Sequence, residues 1–129
     1  MNETDKNELI KYRIERAKQT LLEVNVMIDN EYWNGAVNRL YYSVFYAVSA
    51  LLLKENIITQ THSGVRQMFG LHFIQTGKVK RELGKFYTDL FEKRQTGDYD
   101  DFIIHSEETL KYLMPLAKEL LFDIEKLLE

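Results

Sequence analysis

Apolar residues recur at helical spacing along most of the chain, and the alternation that marks strands is almost absent. Ile10, Ile14, Ala17, Leu21, Val24 and Ile28 fall four or three apart, with Arg13, Arg16, Lys18 and Glu23 off the stripe. That spacing predicts a helix over about 5–30 with one buried face. The next segment, about 33–55, is different: Val37, Leu40, Tyr41, Val44, Phe45, Val48, Leu51 and Leu52 leave almost no polar face, which predicts the central helix. Ala36, Ser43, Ala47 and Ala50 add small side chains that let a neighbouring helix approach closely. Thr61 reads as the N-cap of a short helix to about 75, with Gly77 as its stop. A further helix is predicted over about 79–96, ended by Gly97. Ser106 caps a last helix with the stripe Leu110, Leu113, Ala117, Leu121, Ile124 and Leu128, in which Pro115 should place a kink. Short connections between these elements predict an all-α fold, an up-and-down bundle of four long helices plus one short helix, forming a single domain over residues 1–129.

Composition narrows the chemistry. A chain of 129 residues that is 45% apolar can bury an adequate core without covalent staples. It has no cysteine, which excludes a disulfide framework, a cysteine-ligated zinc site and a thiol nucleophile, and which fits a reducing compartment. The expected location is the cytoplasm, with no membrane partner. Residues 1–11 are charged and polar instead of carrying an apolar signal core, and the longest apolar stretch, around 44–53, is short for a bilayer span. The net charge of −3 argues against a globally basic nucleic-acid coat. Between Lys78 and Arg94, however, six cations face three acids, a local +3 that leaves −6 for the rest. Such a segment is either a solvated helix face with paired charges or an anion-facing side.

Arg94 is the least expected residue in the pattern. The stripe Leu83, Phe86, Tyr87, Leu90 runs into it at helical spacing, so its guanidinium falls where the next core side chain would go. A buried cation must be paired or face a groove, because leaving it unpaired costs several kcal/mol. Asp98 follows four residues later, within reach for a charge-assisted pair, and Tyr99 adds a phenol. Arg39, Tyr42, Ser43 and Tyr46 form a second polar stripe, at i, i+3, i+4 and i+7 on the most apolar helix. Two readings of that stripe stay open. One is an internal hydrogen-bond network in which Arg39 pairs with a carboxylate such as Asp98. The other is a groove in which arginine holds phosphate and tyrosines stack on bases. His62, His72 and His105 show no metal-ligand spacing, so no metal site and no cofactor are expected. His62 opens a helix, where the dipole favours the neutral imidazole. Thr76-Gly77-Lys78 lacks the upstream glycine and the strand of a phosphate loop.

Taken together, Asn38-Arg39-Leu-Tyr41-Tyr42-Ser-Val-Phe45-Tyr-Ala47, Thr61-His62-Ser63-Gly64-Val65, Phe73-Ile-Gln-Thr-Gly77 and Arg94-Gln-Thr-Gly-Asp98-Tyr99 resemble the prokaryotic HEPN-domain proteins over nearly the whole chain. The resemblance implies an α-helical bundle, usually a homodimer, often encoded beside a minimal nucleotidyltransferase as a toxin and antitoxin pair. It also implies metal-independent ribonuclease activity, carried in many members by an arginine, four to six residues, and a histidine. Arg94 takes the place of that arginine, whereas Tyr99 stands where the histidine would be at the shortest spacing, and positions 100 and 101 are aspartates. A tyrosine of ordinary pKa, about 10, is a poor base at neutral pH. Two expectations follow from the resemblance. The first is a toxin-like endoribonuclease with Arg94, Asp98 and Tyr99 in the catalytic groove and Arg39, Tyr42, His62 and Lys78 binding nucleotide or RNA. The second is a noncatalytic module that binds a nucleotide, RNA or a partner protein through the same residues.

Overall fold

In chain order, α1 (Glu3–Asp29), α2 (Trp33–Lys54), α3 (His62–Phe69), a π-helical turn (Gly70–Ile74), α4 (Arg81–Tyr99) and α5 (Glu107–Leu128) make up the fold. They are seen in a computed structural model that describes residues 1–99 and 104–129, and only the backbone of residues 97–99. The chain is all-α, and no strand occurs among the described residues. Four of the helices are long, at 27, 22, 19 and 22 residues, and α3 is short.

The near-continuous apolar composition of α2 is explained by its position. It packs against α1, α3, α4 and α5, and Val37, Leu40, Tyr41, Val44, Ala47 and Val48 are all 0% exposed. By length and composition alone α2 would qualify as a bilayer span, but 61% of its most apolar window is buried against the rest of the chain. Each fully buried Leu or Val of this kind contributes roughly 1.5–3 kcal/mol. The small residues do what their size permits. Ser43 is fully buried and its hydroxyl donates to the Ala17 carbonyl at 2.6 Å, so α1 lies directly on α2 at that point.

Local signals set most element boundaries. The Asn2 side chain accepts from the Asp5 N–H at 2.8 Å to open α1, and the Thr61 hydroxyl accepts from the Gly64 N–H at 2.8 Å to open α3. Glu31 and Asn56, each at φ 59°, turn the chain out of α1 and α2, and Gly77, at φ 78°, does so before α4. One expectation needs correction. The fourth helix begins at Arg81 instead of about 79 and continues through Gly97 to Tyr99. A glycine permits a stop without imposing one. The last helix runs continuously from Glu107 to Leu128 with Pro115 inside it. Pro115 is exposed, so the carbonyl that loses its donor there is on the side open to water.

Candidate functional site

Tyr41 is the centre of the most unusual side-chain cluster. Its ring is 0% exposed and has Tyr42, Phe45, His62, Tyr87 and Phe91 around it, with centroids 5.3 to 6.2 Å away. Three elements build this cluster. Residues 41, 42 and 45 come from the middle of α2, His62 is the first residue of α3, and Tyr87, Phe91 and Arg94 come from successive turns of α4. The Tyr41 hydroxyl and His62 Nδ1 are 2.8 Å apart. The Arg94 guanidinium carbon sits 4.7 Å from the Tyr41 ring centroid and 5.8 Å from that of Tyr42. This answers the question raised by the apolar stripe. Arg94, only 9% exposed, takes the place of a core side chain with its flat cation stacked on aromatic faces.

A second arginine flanks the cluster on the outer side. Arg39 lies 5.1 Å from the Tyr42 centroid, and its guanidinium is 3.8 Å from Glu23 and 3.4 Å from the Asn38 side chain. Its carboxylate partner among the described residues is Glu23 on α1; the side chain of Asp98, the expected candidate, lies outside them. Arg66, one turn after His62, stacks on Phe91 at 4.7 Å. Three guanidiniums thus surround one aromatic and imidazole core.

Charge and burial tune the titratable groups. Burial, and then the nearby Arg94 charge, hold the His62 pKa below its ordinary value of 6.5, so the imidazole is neutral at pH 7. Burial pushes Tyr41 up to about 12 against the opposing pull of Arg94, so its phenol stays protonated. Tyr87 is raised well above its ordinary value, first by burial and then by the neighbouring Tyr41. The Tyr87 hydroxyl is buried without a hydrogen bond of acceptable geometry among the described residues. With Nδ1 committed to Tyr41, Nε2 is the other ring nitrogen of His62.

The placement of His62 depends on a glycine. A Cβ on Gly64 would collide with the Thr59 hydroxyl and come within 2.8 Å of the Thr61 hydroxyl, so only glycine lets those threonines pack at the start of α3. The Thr61 cap and Gly64 together hold the imidazole against Phe45, with ring centroids 4.5 Å apart.

Of the residues expected to form a site, Arg39, Tyr42, His62 and Arg94 come together around Tyr41. Lys78 does not join them. It is exposed and lies 5.5 Å from the Phe73 centroid, next to the π-helical turn. The side chains of Asp98 and Tyr99 lie outside the described residues, and only their helical backbone is placed. Sequence reasoning did not single out Tyr41 or Arg66 for a role. Tyr41 looks like any core residue of α2, and nothing local links it to a histidine 21 positions away. The adjacent pair Tyr41-Tyr42, one ring buried and the next half-exposed, is the only sequence signal that could have drawn attention to it.

The sequence of the chain as a whole is similar to that of known proteins. A sequence model described as the HEPN domain matches residues 10–127. A "UPF0332 protein" of Thermotoga maritima is 45% identical over 129 residues, covering 100% of this chain and 96% of that protein. Two proteins of Methanocaldococcus jannaschii named "Putative toxin MJ0142" and "Putative toxin MJ0605" are 40% and 35% identical. Those matches cover 78% and 74% of this chain and 69% and 71% of theirs. The chain belongs to the HEPN family.

Proposed function

We propose that this HEPN domain is a toxin-like protein that cleaves RNA, with Arg94 and His62 as the reacting pair. The observation that carries the proposal is the Tyr41–His62 hydrogen bond of 2.8 Å beside the Arg94 guanidinium. In this reading His62 takes the part of the histidine that is missing after Arg94 in the sequence. Its ring carries the proton on Nδ1 and donates it in the hydrogen bond to the Tyr41 oxygen, which leaves Nε2 to accept the proton of an RNA 2′-hydroxyl while the 2′-oxygen attacks the adjacent phosphorus. Arg94 balances the charge that builds on the phosphate oxygens, and the imidazolium returns its proton to the departing 5′-oxygen. Tyr41 positions the ring, and Arg39 with Tyr42 offers a phosphate contact and a stacking face at the edge of the site. The toxin names carried by relatives at 40% and 35% identity support the same reading. A homodimer, and an antitoxin partner of the nucleotidyltransferase class, belong to this proposal as its assembly.

A second reading, a noncatalytic module that only binds RNA or a nucleotide, is favoured by one observation: Arg94 is 9% exposed, deeper than most phosphate-contacting arginines need to be. One experiment separates the two. The purified protein is incubated with labelled single-stranded RNA in the presence of a chelator, and cleavage and binding are followed in parallel. The enzyme reading predicts cleavage that falls by about 10²–10³ in Arg94→Ala and in His62→Ala. Binding without cleavage, weakened by Arg39→Ala, establishes the second reading instead.

A further inference from the structure

A cavity of about 670 Å³ opens between the N-terminal half of α1, the C-terminal half of α2 and the connection that leads to α3. Its volume is in the range that holds a small organic molecule. Leu9, Leu52, Leu53, Ile57 and Val65 make most of the wall apolar, and Phe45 contributes the side nearest His62. Set into this lining are two cations from α1, Lys6 and Arg13.

Neither cation is well matched by the protein. Arg13 is half-buried, and its Nη1 donates to the Ser49 carbonyl at 3.3 Å. No carboxylate pairs with it among the described residues. Burial lowers its pKa from the ordinary value, as expected of a cation that has lost water without gaining an anion. The Lys6 side chain is 13% exposed and its Nζ donates to the Asn56 side chain at 3.2 Å. Its carboxylate partner, Glu3, is 3.8 Å away on a side chain that is 77% exposed. A largely apolar cavity with a charge surplus at one wall is complementary to a molecule with an apolar body and one anionic head.

We propose that this cavity binds an organic monoanion of the medium-chain carboxylate class, with its head on Arg13 and Lys6 and its chain against Leu9, Phe45 and Leu53. The site is distinct from the cluster around Tyr41 but shares the Phe45 wall with it. The segment 56–60 that lines the cavity runs directly into Thr61 and His62. An occupant therefore changes the surroundings of His62, which makes the cavity an effector site for whatever His62 does. Binding itself does not depend on the RNA reading.

The test is calorimetric titration of the full chain with decanoate, with decanol and adenosine monophosphate as comparison ligands. The expected result is saturable one-to-one binding of decanoate, weaker by about tenfold or more in Arg13→Gln and partly recovered in Arg13→Lys. Decanol should bind less tightly than decanoate to the unaltered protein, a comparison that stands even if the Arg13 variants fold poorly. In proton NMR, decanoate should move the His62 imidazole signals and leave those of the exposed His72 in place. The proposal is overturned by absent or non-saturable decanoate binding, by equal affinity for decanol, or by an unchanged affinity in well-folded Arg13→Gln. Tighter binding of adenosine monophosphate than of decanoate also overturns it, because the aromatic wall would then be holding a base.

Discussion

Two buried tyrosines next to each other show how differently the same side chain can be used. The Tyr41 hydroxyl is hydrogen-bonded to His62 at 2.8 Å, whereas the Tyr87 hydroxyl is buried without a partner of good geometry among the described residues. Removing the first leaves an imidazole nitrogen unsatisfied, and removing the second relieves a desolvated group. Chemical denaturation should find Tyr41→Phe destabilised by about 0.5–1.5 kcal/mol and Tyr87→Phe neutral or slightly stabilised. Equal losses in the two variants would contradict this account. The same environment predicts a pH dependence. Above its ordinary pKa of 6.5 the imidazole is neutral in both folded and unfolded chains, so it leaves stability unchanged. Below that value the unfolded chain takes up a proton that the folded site resists, so stability falls with decreasing pH until the lowered folded pKa is passed. The difference in melting temperature between the unaltered protein and His62→Gln should therefore shift against the unaltered protein on going from pH 8 to pH 5.5. A constant difference would mean that His62 titrates as it does in the unfolded chain.

At the scale of elements, the start of α3 decides where the imidazole points. Thr61→Ala removes the cap and should cost about 1 kcal/mol. Gly64→Ala should cost more, about 1–3 kcal/mol, because its Cβ meets both Thr59 and Thr61, and it should shift the His62 NMR signals as well. A Gly64→Ala protein with native stability and native His62 signals would show that the threonines can move aside at no cost. The helices themselves were legible in the sequence, because burial of one face imposes a spacing that survives in any context. Stripe residues such as Ala17, Val24, Leu83, Leu90 and Leu113 are all buried. Helix ends were less legible. Gly97 resembles a C-terminal stop, yet α4 runs past it to Tyr99, since a glycine permits a stop without imposing one. The Arg39–Glu23 pair was not legible in the sequence, since Glu23 becomes a neighbour only once α1 lies on α2. Likewise, the proximity of His62 to Arg94, 32 positions later, is encoded by no local motif.

For the whole molecule, α2 acts as the axis on which α1, α3, α4 and α5 are assembled. The cluster around Tyr41 lies where α2, α3 and α4 meet, and the cavity at Arg13 lies where α1, α2 and the connection to α3 meet. Catalysis by His62 and Arg94 is the central claim, and a rate profile tests it more directly than a single assay. Cleavage of a single-stranded RNA is measured from pH 5 to pH 9 in chelator. The account predicts a rise through one ionisation below 6.5, a plateau across neutral pH, and loss of activity in His62→Gln. A rate that climbs only toward the tyrosine range, or a profile left intact in His62→Gln, would contradict it.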